Sequence, residues 1–270
     1  MNSLIFSFYK KTENLKDHYD FLKERQEQYA KAIGVDYRLY GDDDQYNEYK
    51  EAFKDRPYIN EYNIINFYKL HLLYENCKKY DKVAYFDFDV VPVTKDNIFD
   101  IDISNGIAVR VNHEDFQRNI NFNLVKGRTR PLAPVRSPRA KFWNTKALLF
   151  YNNFDGANDV YNTGIVLANK QQLEKLAYFD NFQKDLDVMH ELVTESEMYP
   201  IYITGMFGYD NETLFSYKMI ENNVNLINLD EEWHYTLTMD RRSIKGTPKL
   251  LHVINKNFEY VKKYVKENNL

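Results

Sequence analysis

The sequence predicts an α/β fold with a central, mostly parallel sheet flanked by helices. Three observations carry that expectation. Apolar runs of strand length alternate with amphipathic stretches of helical period along most of the chain. The opening segments Leu4 to Tyr9, Leu15 to Ala32 and Val35 to Tyr40 read as β-α-β, a unit whose strands are parallel and whose crossover is right-handed. An apolar strand from Lys82 to Phe88 then ends in two acids and a proline, as strands do at the ligand-binding edge of such sheets.

The elements follow in order. In the first helix Phe21, Leu22, Tyr29 and Ile33 recur near helical spacing, and Gly34 stops it. The second strand runs into Gly41-Asp42-Asp43-Asp44, an acidic turn. Ile64 to Lys79 is a long helix with Phe67, Leu70, Leu73 and Tyr74 on one side, delivering the chain into the Lys82 strand. Ile107 to Val111 and Tyr161 to Asn169 read as strands, and Lys170 to Met189 and Tyr209 to Glu221 as helices. Val224 to Leu229 and Leu250 to Ile254 are further strands, followed by a charged helix from Phe258. With no internal repeat and no low-complexity linker, one domain over residues 1–270 is the economical expectation.

Composition narrows the function classes. The chain of 270 residues is long enough to bury a sizeable core without covalent staples. Its single cysteine, Cys77, excludes an intramolecular disulfide and a multi-cysteine metal site, which suits a reducing compartment. The apolar run within Met1 to Lys10 is too short for a signal peptide or a bilayer span, so a soluble, cytoplasmic protein is expected. A net charge of −4 argues against polyanion binding by the whole surface. The 23 Tyr and 18 Phe fit sugar-stacking surfaces, and equally a composition biased toward Asn, Lys and Ile.

The chemistry concentrates in Tyr85-Phe86-Asp87-Phe88-Asp89-Val90-Val91-Pro92. In an extended chain residues i and i+2 share a face about 6.5–7 Å apart, so Asp87 and Asp89 are expected to project together with Phe86 and Phe88 on the other side. An acid pair ending a buried strand is costly unless cations or hydrogen bonds compensate it. A metal ion would do so. Elsewhere, Lys126 to Lys146 breaks the alternation, carrying Lys126, Arg128, Arg130, Arg136, Arg139, Lys141 and Lys146 with three prolines and no acid. It reads as a long cationic surface loop, either solvated or shaped to an anionic ligand: a lid over a diphosphate, or a groove for an anionic acceptor.

Three later segments, taken with Asp87-Phe88-Asp89, resemble glycosyltransferases of the glycosyltransferase-A fold, nearest to family 8. Tyr161-Asn162-Thr163-Gly164 is similar to the family's Asn-x-Gly strand. Gly208-Tyr209-Asp210-Asn211-Glu212 resembles its acidic helix start, and Leu250-Leu251-His252-Val253-Ile254 its terminal strand with a metal-binding histidine. The Gly and Lys-Pro-Trp that usually follow are absent, leaving Lys256 as the phosphate contact. The resemblance implies a single Rossmann-like domain and a hexose transfer from a nucleoside-diphosphate sugar, a UDP-sugar above all, to a hydroxyl acceptor with retained configuration. It implies Asp87, Asp89 and His252 around Mn²⁺ or Mg²⁺, with Asp210, Glu212 and Asn162 at the reacting sugar. Lys69, Gly164 and Lys256 would contact the donor, and Tyr9 and Asp42 the nucleotide base.

The residues themselves explain that metal choice. Carboxylate oxygens suit Mg²⁺ or Mn²⁺, and an imidazole nitrogen tilts the set toward Mn²⁺. A carboxylate at 210 or 212 could act as general base were the reaction inverting. Trp233-His234 reads as a buried pair or as an acceptor wall. Other readings of the chain are a nucleotidyltransferase, for which Ser7 to Thr12 lacks the glycines that cradle a triphosphate, and a non-catalytic module binding a sugar nucleotide or a nucleic acid.

Overall fold

The structure, a computed structural model, describes residues 2–112, 130–194, 197 and 199–270. In chain order the first elements are β1 (Ser3–Phe8), α1 (Tyr19–Ala32), β2 (Asp36–Tyr40), α2 (Asp44–Glu51), α3 (Glu61–Cys77), β3 (Lys82–Phe86), β4 (Val90–Pro92) and β5 (Ile107–Val111). There follow α4 (Pro138–Tyr151), β6 (Tyr161–Ala168), α5 (Lys170–Leu176), α6 (Phe182–Thr194), α7 (Ile201–Thr204) and α8 (Asn211–Glu221). The chain closes with β7 (Leu226–Asn228), β8 (Tyr235–Thr236), β9 (Leu250–His252) and α9 (Phe258–Glu267). Among the described residues no helix is long and apolar enough to cross a membrane.

Six strands form the central sheet in the order β2-β1-β3-β6-β5-β7. Its pairings are parallel except at β6, which runs against both β3 and β5. That reversal carries the amino-terminal half of β6 to the carboxyl end of β3. The strands alternate between two buried faces, as a period of two requires. Leu4, Phe6 and Phe8 of β1 face a core shared with α3, α4 and α8, whereas Ile5 joins Ala84, Phe86 and Ile165 against Tyr29 and Ala30 of α1. A second, three-stranded sheet has the order β4-β9-β8, with Val90 opposite His252 and Thr236 beside it.

Several sequence expectations change. The strand ending in the acid pair stops at Phe86, and Asp87 to Val90 form a turn closed by the Val90 N–H donating to the Asp87 carbonyl at 2.9 Å. The extended segment with both acids on one face is therefore not what places them. The single helix expected over Lys170 to Met189 breaks at Ala177, which takes a left-handed φ of 48°, and resumes as α6. Most important, the cationic segment is not one loop. Its residues 126–129 lie outside the described residues, but Ser137 caps the Ala140 N–H, Pro138 takes the first turn, and the chain continues as α4. Sequence reading missed α2, whose cap is Asp43 of the acidic turn, and the second sheet.

The turn after β3 is held from behind by Gln26 of α1, fully buried. Its Nε2 donates to the carbonyls of Asp87 at 3.2 Å and Val90 at 2.8 Å. Its Oε1 accepts from the Tyr37 hydroxyl at 3.0 Å and lies 2.6 Å from the Ser7 hydroxyl, which also reaches the Phe86 carbonyl at 2.8 Å. One amide thus ties three strands to one turn. Gln26→Leu keeps the volume but strands buried polar groups, and urea unfolding is expected to show a loss of about 2–3 kcal/mol with an unchanged m-value.

Candidate functional site

Asp87 and Asp89 leave the carboxyl end of β3, and His252 ends β9 directly opposite Val90. A further backbone bond, Val253 N–H to the Asp89 carbonyl at 3.0 Å, fixes the two segments against each other. His252 Nε2 lies 3.6 Å from Asp87 Oδ2 and 3.6 Å from Asp89 Oδ1, and one donor atom from each of the three residues falls within 4.8 Å of the others. Octahedral Mg²⁺ or Mn²⁺ with ligands at about 2.1 Å spaces adjacent donors about 3 Å apart and opposite ones about 4.2 Å. The three side chains fit such an ion after small contraction.

Gly164 makes the room. The Asp87 N–H donates to the Gly164 carbonyl at 2.7 Å, so β6 passes directly behind the cradle. A Cβ on Gly164 would stand 2.3 Å from His252 Cε1 and 2.9 Å from Asp87 Oδ2. Asn162 Oδ1 accepts the Gly164 N–H at 3.0 Å, while Arg110 and Asn162 face each other at a register shift in the β5–β6 pairing. The Asn-x-Gly spacing read from sequence thus has a steric basis: the glycine must lack a side chain where the histidine and aspartate converge.

Cations surround the acids. Lys69 of α3, 3 % exposed, places Nζ 3.4 Å from Asp87 Oδ1, and the Tyr85 hydroxyl donates to the same oxygen at 2.5 Å. Burial pushes the Asp87 carboxyl upward, but Lys69, His252 and Tyr85 outweigh it and hold the group below the ordinary aspartate value. Lys256, with a left-handed φ of 57°, pairs with Asp89. Behind His252 lies His234, fully buried, with Nε2 3.0 Å from His252 Nδ1. Burial first, then His252 and Arg110, push His234 far below the ordinary imidazole value, so it is neutral. In the tautomer in which His252 Nδ1 donates to this ring, Nε2 is the nitrogen that faces the two aspartates.

Across the cleft the acids at the start of α8 have distinct duties. Asp210 Oδ1 caps the helix by accepting the Glu212 N–H at 2.9 Å, while Oδ2 is buried without a hydrogen-bond partner. Glu212 Oε1 accepts the Thr163 N–H at 2.8 Å and Oε2 accepts Lys141 Nζ of α4. Both Glu212 oxygens are therefore occupied. Burial raises the Asp210 carboxyl, only partly offset by Lys141 and reinforced by Glu212.

These residues line or border a cleft of about 690 Å³ walled by Asp87, Asp89, His252, Lys69, Lys256, Asn162, Glu212, Lys141 and Arg136. Asp210 instead borders a side cavity of about 210 Å³ shared with Arg136, whose guanidinium stacks 3.8 Å over the Tyr62 ring. Tyr9 lines a different cavity, of about 360 Å³, with Tyr19, Tyr37 and Tyr40, and Asp42 lies exposed beside Gly41 on its rim. Neither reaches the main cleft. Trp233 packs under Lys249 and His234 sits behind the metal cradle, so that pair is no acceptor wall. Sequence reading missed Gln26 and the orienting role of His234.

No protein-family model and no curated protein matches the chain. Solved structures do. Mouse xyloside xylosyltransferase 1, in its apo form, aligns with a TM-score of 0.52 over 94% of this chain and 98% of its own, at 13% identity. The galactosyltransferase LgtC, in complex with donor and acceptor sugar analogues, aligns with a TM-score of 0.51 over 93% of this chain and 87% of its own, at 12% identity. The fold is the glycosyltransferase-A fold. In this chain the glycosyltransferase-A sheet sets the acid pair at its carboxyl edge, and β9 supplies the imidazole.

His234→Phe removes the hydrogen-bond partner of His252 Nδ1 while keeping a ring in its place. Mn²⁺ titration calorimetry is expected to give an affinity lower by about 10–100-fold at an unchanged fold, the usual cost of losing a residue that orients a ligand.

Proposed function

We propose that the protein is a metal-dependent glycosyltransferase, moving a hexose from a nucleoside-diphosphate sugar, with UDP-sugars favoured, to a hydroxyl acceptor. The observation that carries this reading is the Asp87, Asp89 and His252 cradle, cleared by Gly164 and set in a cation-rich cleft at the carboxyl edge of the sheet. Asp87, Asp89 and His252 would hold Mn²⁺ or Mg²⁺. When bound there, the divalent ion neutralises the charge that gathers on a diphosphate as it departs.

The chain's own groups complete the task. Lys69 and Lys256 set ammonium charges on either side of the acid pair, where a diphosphate's remaining oxygens would lie. Asn162 presents an amide to the cleft for sugar hydroxyls, while Asp210, with one oxygen capping its helix and the other buried, and the separate cavity at Tyr9 and Asp42 do not face it. Retention of configuration is the better supported course. An inverting transfer needs a free carboxylate base beside the acceptor, yet both oxygens of Glu212 are engaged and Asp210 caps its helix with one and buries the other. The donor's own departing phosphate can take the acceptor proton on a retaining path.

The test is nucleoside diphosphate release from a panel of UDP- and GDP-sugars with Mn²⁺. Release from one donor, abolished by EDTA, restored by added Mn²⁺ and lowered by at least ~10²-fold in Asp89→Ala, is the expected result. Absence of both release and metal-dependent UDP binding across the panel would overturn the assignment, and pyrophosphate release from a nucleoside triphosphate would replace it with nucleotidyl transfer.

A further inference from the structure

Lys141 stands in the segment that sequence reading took for a long cationic surface loop, yet its side chain is only 13% exposed. It pairs with Glu212 and lies 3.7 Å from Asp210 Oδ1, so one ammonium serves two carboxylates at the first turn of α8. Those carboxylates are 6% and 10% exposed and belong to residues two apart, and two buried anions so close repel each other. Glu212 also grips the Thr163 N–H, between Asn162 and Gly164, and Asn211 Nδ2 donates to Thr163 Oγ1 at 2.9 Å. The remaining groups facing the pair are Tyr62 and Lys69 from α3 and Tyr178 from the link between α5 and α6, with Asp87 farther off.

We propose that Lys141 is a positioning residue of the transfer site: its ammonium bridges the carboxylates of Asp210 and Glu212 and, through Glu212, braces the Thr163 segment that carries Asn162 and Gly164 beneath the Asp87, Asp89 and His252 cluster. The proposal rests on the glycosyltransferase reading for its kinetic consequence, not for its electrostatics. Burial alone would lower the Lys141 ammonium, but Glu212 and Asp210 outweigh it and hold the group above the ordinary lysine value, so the cation stays charged throughout the working pH range. Without it two largely buried carboxylates two residues apart would face each other with no cation bridging them.

Lys141 is the main group offsetting burial at Asp210, so its removal raises that carboxyl further and activity is lost at higher pH as acid is added. Lys141→Met is expected to move the acidic limb of the kcat profile upward by about one to two pH units and to lower kcat at pH 7 by about 10–100-fold, while metal-dependent UDP binding persists. Lys141→Arg is expected to return the limb to its wild-type position. A limb in the methionine variant that coincides with wild type, or one that arginine fails to return, overturns the proposal. Carboxyl ¹³C NMR titration of Asp210 and Glu212 in the full chain reads the same shift without any turnover, so absent UDP binding would sink the transferase reading while leaving this one to be decided. Should Lys141→Met not fold, the Lys141→Met/Glu212→Gln double variant removes cation and anion together; an Asp210 midpoint near wild type is expected, and one displaced upward would refute the pairing.

Discussion

Everything at the candidate centre depends on how the turn after β3 is held. A strand that simply ran on would carry Asp87 and Asp89 along the sheet, away from β9. Gln26 instead captures the carbonyls of Asp87 and Val90, the chain folds back, and Val90 pairs with His252. The convergence of Asp87, Asp89 and His252 is thus a by-product of a buried amide satisfying backbone acceptors, and its precision comes from hydrogen bonds made behind those three side chains. Ser7 and Tyr37 lock the amide in turn, so β1 and β2 support a cluster to which they give no member.

Charge follows the same economy. Two acidic groups face each other across the cleft, and each has its own lysine, Lys69 for Asp87 and Lys141 for Glu212, the first buried, the second half-buried, and both on helices. A buried carboxylate needs a neighbouring ammonium to hold its charge and is fixed by it, whereas a solvated one is ionised by water and left free to move. Lys256 differs, because it is more exposed and approaches Asp89 from a left-handed backbone position that a non-glycine residue adopts at a cost of about 1–2 kcal/mol. Of the three, it is the lysine whose place is set by its turn and not by a helix.

What was legible in the sequence was what depends on residue type and local order. The β-α-β opening, the acid pair at a strand end, the Asn162-x-Gly164 spacing and a histidine on a late strand all announce themselves by pattern, and the structure brings Asp87, Asp89, Gly164 and His252 together. What was not legible depends on distant partners. A glutamine within a helix looks like surface, and nothing near Gln26 in the chain reports that four groups converge on it. Lys141 hid in a cationic run because its inward direction is a matter of helix phase, fixed by the Ser137 cap and Pro138. The break at Ala177 was equally silent, since alanine gives no warning of a left-handed residue.

Chain order adds a kinetic side to the antiparallel pairing of β4 with β9. During synthesis the acid pair emerges long before the strand that brings its imidazole, and closing so long a loop comes late in folding because its entropy is lost before its contacts form. Lys69 and Tyr85, which precede Asp87 in the chain, can shield that carboxylate meanwhile. Asp89, whose partners Lys256 and His252 both come from the last part of the chain, must wait in water until β9 docks.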